Sequence, residues 1–397
     1  MSSILSSSRT FKPKPFGSLV KTQWQLVKQD KWLLSCLTWL PLLLAISIWG
    51  IFSQGIARDL PIGIVDLEHS QLSHTLSQRF DASPTLEVFA DYADVSQAKQ
   101  AMIKQKIYGY IVIPKGFDKG IYQQSNPQVS AFYNSQFILI GKLFHSAVLQ
   151  VQGTFGAELE VMKGLTQGNT TTQSALGRAV SVQTQITPLF NKNTSYAQFL
   201  ISAVVPALWQ IMVVTCTILV LSANLKHFQL KPWLQTNPIK TLVQTLLPYL
   251  AFFCLVGFGF LVWFYVILQW PMNGSLITLI FAQFVAAIAC MVMGCFFFFL
   301  TLDPARAMSF AGAFTAPSFA FMGITFPVSQ MNELAQLWRS LLPISHYIEV
   351  QVQQSSYGVT PIVSLAQMLP MVGYLIPAVL VLILVKKHIK LDTERNV

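Results

Sequence analysis

The sequence predicts an α-helical polytopic membrane protein with six transmembrane helices and a small α/β extracytoplasmic domain inserted after the first of them. Of its 397 residues, 53% are hydrophobic and 11% are charged, which is too apolar for a soluble protein of this size. One apolar stretch lies near the N-terminus, a long polar stretch follows, and five more apolar stretches fill the C-terminal half. Each is close to the ~20 residues that a helix needs to cross a bilayer.

The predicted spans have centres without Lys, Arg, Asp or Glu. Ion pumps and proton-coupled carriers usually keep ionisable residues inside the membrane, so this feature argues against coupling to an ion gradient. The first span is longer than the core of a signal peptide, and we expect it to be a retained helix. The predicted spans are residues 32–52, 199–221, 242–268, 276–300, 308–326 and 365–385.

The net charge of +10 lies in the short segments that flank these spans. Residues 1–31, 223–240 and 386–397 carry net charges of +5, +3 and +2. The positive-inside rule therefore places both termini and the loop 223–240 in the cytoplasm and residues 53–198 outside it. The basic excess suits anionic membrane lipid, and no basic stripe interleaved with aromatic residues indicates a nucleic-acid partner.

The positions of the five cysteines predict that the polar stretch has no disulfide framework. All of them fall within predicted spans and none falls in residues 53–198, which is natural for a multi-pass protein of the bacterial cytoplasmic (inner) membrane. They are Cys36, Cys216, Cys254, Cys290 and Cys295.

The cytoplasmic tail 1–31 contains an amphipathic pattern just before the first span. Phe16, Val20, Trp24 and Val27 recur at steps of three and four residues, which predicts a helix lying in the membrane interface. An ordinary solvated helix that leads into the membrane is the alternative.

The polar stretch has a β/α rhythm that predicts a small mixed domain with a long helical return. Short apolar runs predict strands at 60–66, 86–89, 108–113 and 128–133, and helices separate them. Towards the C-terminus, residues 327–362 are too polar to cross the membrane but keep helical amphipathicity. We expect this segment to fold back against the outer membrane face.

No metal site or bound cofactor is expected for this chain. His69 and His74 lie near Asp66, but their spacing of five puts the imidazoles on different helix faces, and Asp66 is better suited to cap the turn after its strand. No G-x-x-x-x-G-K-[ST] motif is present, so the chain lacks a loop for nucleotide phosphates.

Four local motifs occur in a particular order along the chain. Pro61–Asp66 is followed by Ser70; Gly109–Phe117 reads GYIVIPKGF; Phe321–Pro327 precedes Met331; and Leu342–Tyr347 reads LPISHY. Together they resemble the permease subunit of ABC type-2 exporters, in the branch with a large extracytoplasmic domain between the first two membrane helices. The resemblance covers nearly the whole chain.

The resemblance implies a function and a set of partners. It implies efflux of an amphipathic or hydrophobic compound, such as a drug, lipid or peptide, with ATP and Mg bound by a separate ABC ATP-binding subunit. Two permeases would pair as a homodimer or heterodimer, and a periplasmic adaptor protein would be compatible. The alternative is a non-transporting receptor or envelope-assembly scaffold, which would have no ATPase partner.

The cytoplasmic loop 223–240 departs from the family pattern, because it lacks the acidic residues found there in most members. We expect this loop to contact the ATPase, with Trp233 and Leu234 as apolar knobs and with basic groups facing acidic groups or lipid, and its unusual composition favours a heterodimer. An ordinary basic interfacial loop is the alternative. The candidate coupling residues are Lys226, His227, Lys231, Trp233 and Leu234.

Aromatic residues on the predicted spans are candidates for lining a transport cavity, although aromatic side chains in such helices more often face lipid or core. His346 is the candidate functional polar residue, and a purely structural histidine is the alternative. The candidate cavity residues are Phe199, Trp209, Phe310, Phe314 and Phe319.

Overall fold

The structure is a computed structural model that describes residues 16–53, 57–123, 127–166, 189–191, 195–234 and 237–395. The predicted tail before residue 16, part of the predicted helical return and residues 235–236 of the loop 223–240 lie outside the described residues. The chain divides into two compact units. The first comprises Met1–Gly55 with Pro188–Val397, and the second is Ile56–Thr187.

The predicted first span is broken in two. Helix α1 (Phe16–Gln29) precedes α2 (Lys31–Leu37) and α3 (Trp39–Phe52), and α2 and α3 are bent by 44° at Thr38. Pro41 explains the break, since its ring lacks an N–H and would clash with the carbonyl of Leu37 in a continuous helix. The Thr38 hydroxyl donates to the carbonyl of Leu34 at 2.7 Å, which satisfies one group at the bend.

The second unit contains a four-stranded sheet with helices on both of its faces. The strands have the order β2-β1-β3-β4, in which β1 is parallel to β2 and β3, and β4 is antiparallel to β3. Ile62, Ile64 and Ile111 are fully buried on one face, whereas Val65 and Tyr110 pack on the other. The elements are β1 (Leu60–Asp66), α4 (Gln71–Asp81), β2 (Leu86–Asp91), α5 (Val95–Ile103), β3 (Gly109–Ile113), α6 (Phe117–Tyr122), β4 (Ser130–Tyr133) and α7 (Ile138–Thr166).

The rest of the first unit is helical. Among the described residues, four helices are long and apolar enough to cross a membrane, or five if the bent pair α2–α3 counts as one span. The elements are α8 (Tyr196–Phe228), α9 (Leu230–Leu234), α10 (Pro238–Val262) with a π turn at Trp263–Ile267, α11 (Leu276–Thr301), α12 (Pro304–Thr315), α13 (Ser318–Phe321), α14 (Glu333–Ser340), α15 (Pro343–Val352) with a π turn at Gln353–Tyr357, α16 (Pro361–Ala366) and α17 (Leu375–Arg395).

The predicted span 308–326 is not one continuous helix. The structure has instead α12, of 12 residues, and α13, of 4 residues. Pro317 cannot donate a backbone hydrogen bond and would clash with the carbonyl of Ala313, so the helix ends there. A helix of 12 residues is about 18 Å long, short of the ~30 Å hydrocarbon core. Among the described residues, four or five helices are thus long and apolar enough to cross a membrane, and the six predicted spans are not confirmed.

The segment between this broken helix and the last span has one exposed and one buried helix. Leu334 and Leu337 of α14 are exposed, as on a surface helix, but Ile344, Tyr347 and Val350 of α15 are completely buried. The predicted outer segment 327–362 therefore contributes part of the core of the first unit.

Close packing of α8 against α11 depends on Gly294. A Cβ at this position would lie 2.8 Å from the Thr217 Cβ and 2.9 Å from the Val214 carbonyl oxygen. We expect Gly294→Ala to lower the midpoint of thermal unfolding in detergent, with a cost of about 1–3 kcal/mol from overpacking. Gly312→Ala is the matched control, because a Cβ there meets nothing within 4 Å. Equal midpoints for the two variants would contradict the packing assigned to Gly294.

Candidate functional site

The short helix α9 in the loop 223–240 is buried rather than exposed. Trp233 is 1% exposed and Leu234 is 0% exposed, and α9 packs against α8, α10 and α17. Neither side chain can act as an exposed knob on a partner, so this part of the prediction was wrong. Amphipathic spacing identifies an apolar face but not what covers it, and here the protein's own helices cover it.

The polar side of the same loop is accessible. Lys226 and His227 are exposed, and Lys231 is half-buried. Gln229 ends α8 with a positive φ of 60°, which turns the chain sharply into α9. Contact between these basic residues and an ATPase stays a prediction.

A buried polar cluster joins α1 to α8 and α10 near this loop, and sequence reasoning missed it. The amides of Gln23 and Asn224 bind each other at 2.9 and 3.1 Å, and the Tyr249 hydroxyl donates to Gln23 Oε1 at 3.2 Å. Because these buried amides satisfy one another, they set the relative positions of three helices. The sequence shows polar residues within otherwise apolar stretches. It does not show that Gln23 pairs with Asn224, which lies 201 residues further along the chain.

Trp209 is a core residue. It is buried, its indole N–H donates to the carbonyl of Phe253 at 3.0 Å, and its ring lies 6.4 Å from that of Tyr347. It therefore links α8 to α10 and α15.

The other candidate aromatic residues lie in different places. Phe310 and Phe314 both contact Phe297, with ring centroids 6.4 and 5.6 Å apart, and Phe310 is exposed. Phe319 packs half-buried against the core of the first unit, whereas Phe199 borders a cavity at the start of α8. The five candidates thus do not converge on one cavity.

His346 lies in a buried, hydrogen-bonded position. Its Nε2 is 3.0 Å from the carbonyl oxygen of Ser340, and Arg339 forms an ion pair with Glu349 at 2.6 Å nearby. Burial lowers the pKa of His346 below its ordinary value, although the hydrogen bond to Ser340 opposes this shift. The imidazole is consequently neutral at pH 7 and fits a structural role.

Asp66 closes the turn after β1. Its carboxylate accepts hydrogen bonds from the backbone N–H groups of Glu68 and His69, at 2.9 and 3.0 Å, and from the Ser73 hydroxyl at 2.7 Å. Burial alone would raise the pKa of Asp66, but these hydrogen bonds outweigh it and lower the pKa. In the part of the chain that the structure describes, no group of three or more His, Cys, Asp or Glu could hold a metal ion.

A protein-family model for "ABC-2 family transporter protein" matches residues 31–385. The chain belongs to the ABC-2 transporter family. No curated protein and no solved structure matches it. As an ABC-2 membrane protein, the chain is the permease component of an ABC transporter and is not itself the ATPase. Membership of the family also implies an ABC ATP-binding partner.

The polar cluster is testable with a double-mutant cycle in this ABC-2 permease. We expect Gln23→Leu and Asn224→Leu each to cost about 1–3 kcal/mol, because the first removes the donor to Asn224 Oδ1 and the second removes the acceptor of Gln23 Nε2. The double variant should cost less than the sum, since both amides are then absent. Thermal unfolding in detergent measures all four proteins, and strictly additive costs would contradict the pairing.

Proposed function

We propose that this ABC-2 permease belongs to an exporter that moves an amphipathic or hydrophobic compound out across the bacterial cytoplasmic membrane. A separate subunit would bind and hydrolyse ATP with Mg, and the permease itself would bind no cofactor. The resemblance of its ordered motifs to the exporter branch supports this direction of transport.

The observation that carries the proposal is an apolar cleft of about 680 Å³ at the break in the first span. It lies between α2, α3 and α10, and Thr38, Ala45 and Phe260 are among the residues that line it. None of the described residues that line it is charged. A cleft of this chemistry admits a hydrophobic body and excludes a hydrated ion.

The charge distribution supports the orientation of the proposal. The three segments with basic excess would face the cytoplasm, and residues 53–198 would form an extracytoplasmic domain available to a periplasmic adaptor. The long helices α10 and α17 expose large apolar faces, which suit lipid or a second permease. The unusual composition of the loop 223–240 favours a heterodimer, in which the second permease is a different chain.

Copurification tests the proposed function. We expect the tagged permease to copurify with an ABC ATP-binding protein whose ATP hydrolysis rises in its presence. In inverted membrane vesicles, ATP added to the medium should drive accumulation of a hydrophobic dye in the lumen. Purification from native membranes without any ATPase, and without dye movement, would contradict export and support the receptor or scaffold alternative.

Charge reversal tests the contact surface on the loop. We expect Lys226→Glu to reduce stimulation of the ATPase by roughly three- to tenfold, because a basic side chain facing acidic groups becomes repulsive. Lys387→Glu is the matched control, as it reverses an exposed basic residue of the same proposed face outside the loop. If the Lys226→Glu and Lys387→Glu permeases stimulate ATP hydrolysis equally, Lys226 does not contact the ATPase.

A further inference from the structure

The two edges of the four-stranded sheet in the second unit are built differently. At the β2 edge, the Asp81 carboxylate accepts a hydrogen bond from the Val88 backbone N–H at 2.9 Å, and the acidic residues Glu87 and Asp91 of the same strand are exposed. Charged side chains and a bound backbone group of this kind stop another strand from pairing with an edge. The β2 edge is therefore protected.

The backbone of β4 is open on the side away from β3. The Asn134 N–H donates to the carbonyl of Tyr108 at 2.9 Å, which sets the alternation of the ladder. Because backbone groups point in alternate directions along an antiparallel strand, those of Phe132 face β3, and those of Ala131 and Tyr133 face away from it. Among the described residues, no strand pairs with that side. Ala131 and Tyr133 thus present donors and acceptors to a further strand.

The side chains around this edge are uncharged and partly aromatic. Residues 127–141 contain no Lys, Arg, Asp or Glu. Phe132 is 46% exposed, and its ring stacks on that of Tyr110 with centroids 5.0 Å apart. Tyr133 is 42% exposed, and its ring lies 5.7 Å from that of Phe144 on the α7 face of the sheet. The β4 edge therefore has the backbone and the composition of a site for strand addition.

The strand is complementary to itself. When two copies of β4 run antiparallel about a two-fold axis through Phe132, Ala131 of each copy lies opposite Tyr133 of the other, and each such pair exchanges both of its N–H···O bonds. The small Ala131 side chain leaves room for the facing Tyr133 ring. The two Phe132 side chains meet on the other face, at the closest spacing of an antiparallel pair. Only this register pairs both outward-facing residues within the strand Ser130–Tyr133.

We propose that β4 pairs with β4 of a second copy of this chain and joins two second units into one continuous sheet. The inference goes beyond the proposed function, because it assigns an interface whatever compound is moved. It involves neither the ATPase nor the loop 223–240, whose composition favours a heterodimer of permeases. In a heterodimeric permease, this contact would join two transporters.

Disulfide cross-linking of the full-length chain in native membranes tests the pairing. Phe132→Cys places two thiols at facing positions with Cα atoms about 4.5 Å apart, a distance that a disulfide spans. With copper phenanthroline and dissolved oxygen as oxidant, we expect roughly five- to tenfold more dimer from Phe132→Cys than from Phe89→Cys. Phe89→Cys is the matched control, because Phe89 is 56% exposed on the protected edge strand β2. The unaltered chain, which has no cysteine in residues 53–198, gives the background.

Further variants test the register and the backbone bonds. Two copies of Ala131→Cys would lie diagonally, about 7–8 Å apart, and should cross-link less than Phe132→Cys. Ala131→Cys coexpressed with Tyr133→Cys should cross-link efficiently, since these positions face each other. Ala131→Pro removes an N–H that the ladder with β3 does not use, so it should preserve the midpoint of thermal unfolding and lower cross-linking of Phe132→Cys by roughly fivefold.

Several outcomes would overturn the interface. Equal cross-linking of Phe132→Cys and Phe89→Cys would show random collision. Two differently tagged copies of the chain identify the product, and cross-linking of Phe132→Cys to another protein in place of a second copy would contradict self-pairing. Cross-linking that Ala131→Pro leaves unchanged would contradict the backbone bonds. Dimers that form although no ATPase copurifies would support the interface and contradict the exporter proposal, so the two proposals fail separately.

Discussion

Hydrogen bonds from the side chains of α8 position the helices of the first unit. Between helices in an apolar medium, hydrophobic burial gives little orientation, so packing and polar contacts decide where each helix lies. α8 is well placed for this role, because 72% of its most apolar stretch is buried, against 28% for α10 and 22% for the span that contains α17. Gln210 joins α8 to two other segments of the chain. Its amide nitrogen donates to Ser318 Oγ at 2.9 Å, and its Oε1 accepts from the backbone N–H of Ile344 at 3.1 Å.

The two ends of α8 carry the features that bear on function. At one end, Asn224 binds Gln23 beside the basic loop, so the position of that loop depends on α1 as well as on α8. Towards the other end, Pro206 leaves the Ser202 carbonyl without a helical partner, and the Gln351 amide of α15 donates to it at 2.7 Å. A single helix therefore connects the surface proposed to meet the ATPase with the end of α15.

Much of the architecture was predictable because it depends on local pattern. Apolar length identified the long helices, and alternating short apolar runs identified the strands of the second unit. Pro41 and Pro317 are visible in the sequence and could have predicted the two breaks. The mean hydropathy of a long apolar stretch, however, changes little when one of its residues is proline. Trp233 shows a different limit, since spacing alone does not say whether an apolar face meets a partner or the protein itself. The Gln23–Asn224 and Gln351–Ser202 contacts depend on tertiary packing between residues far apart in the chain, which local periodicity does not encode.

Hydrogen–deuterium exchange of a Gln210→Leu variant measures most directly whether α8 positions its neighbours. The account predicts roughly three- to tenfold faster exchange in residues 318–321 and 343–347, whose contacts with Gln210 are lost, and unchanged exchange in residues 60–113 of the second unit. Thr215→Val is the matched control, because the Thr215 hydroxyl donates to carbonyls of its own helix, with the nearer at 2.7 Å. Exchange in these segments that is the same in Gln210→Leu, Thr215→Val and the unaltered protein would contradict the account.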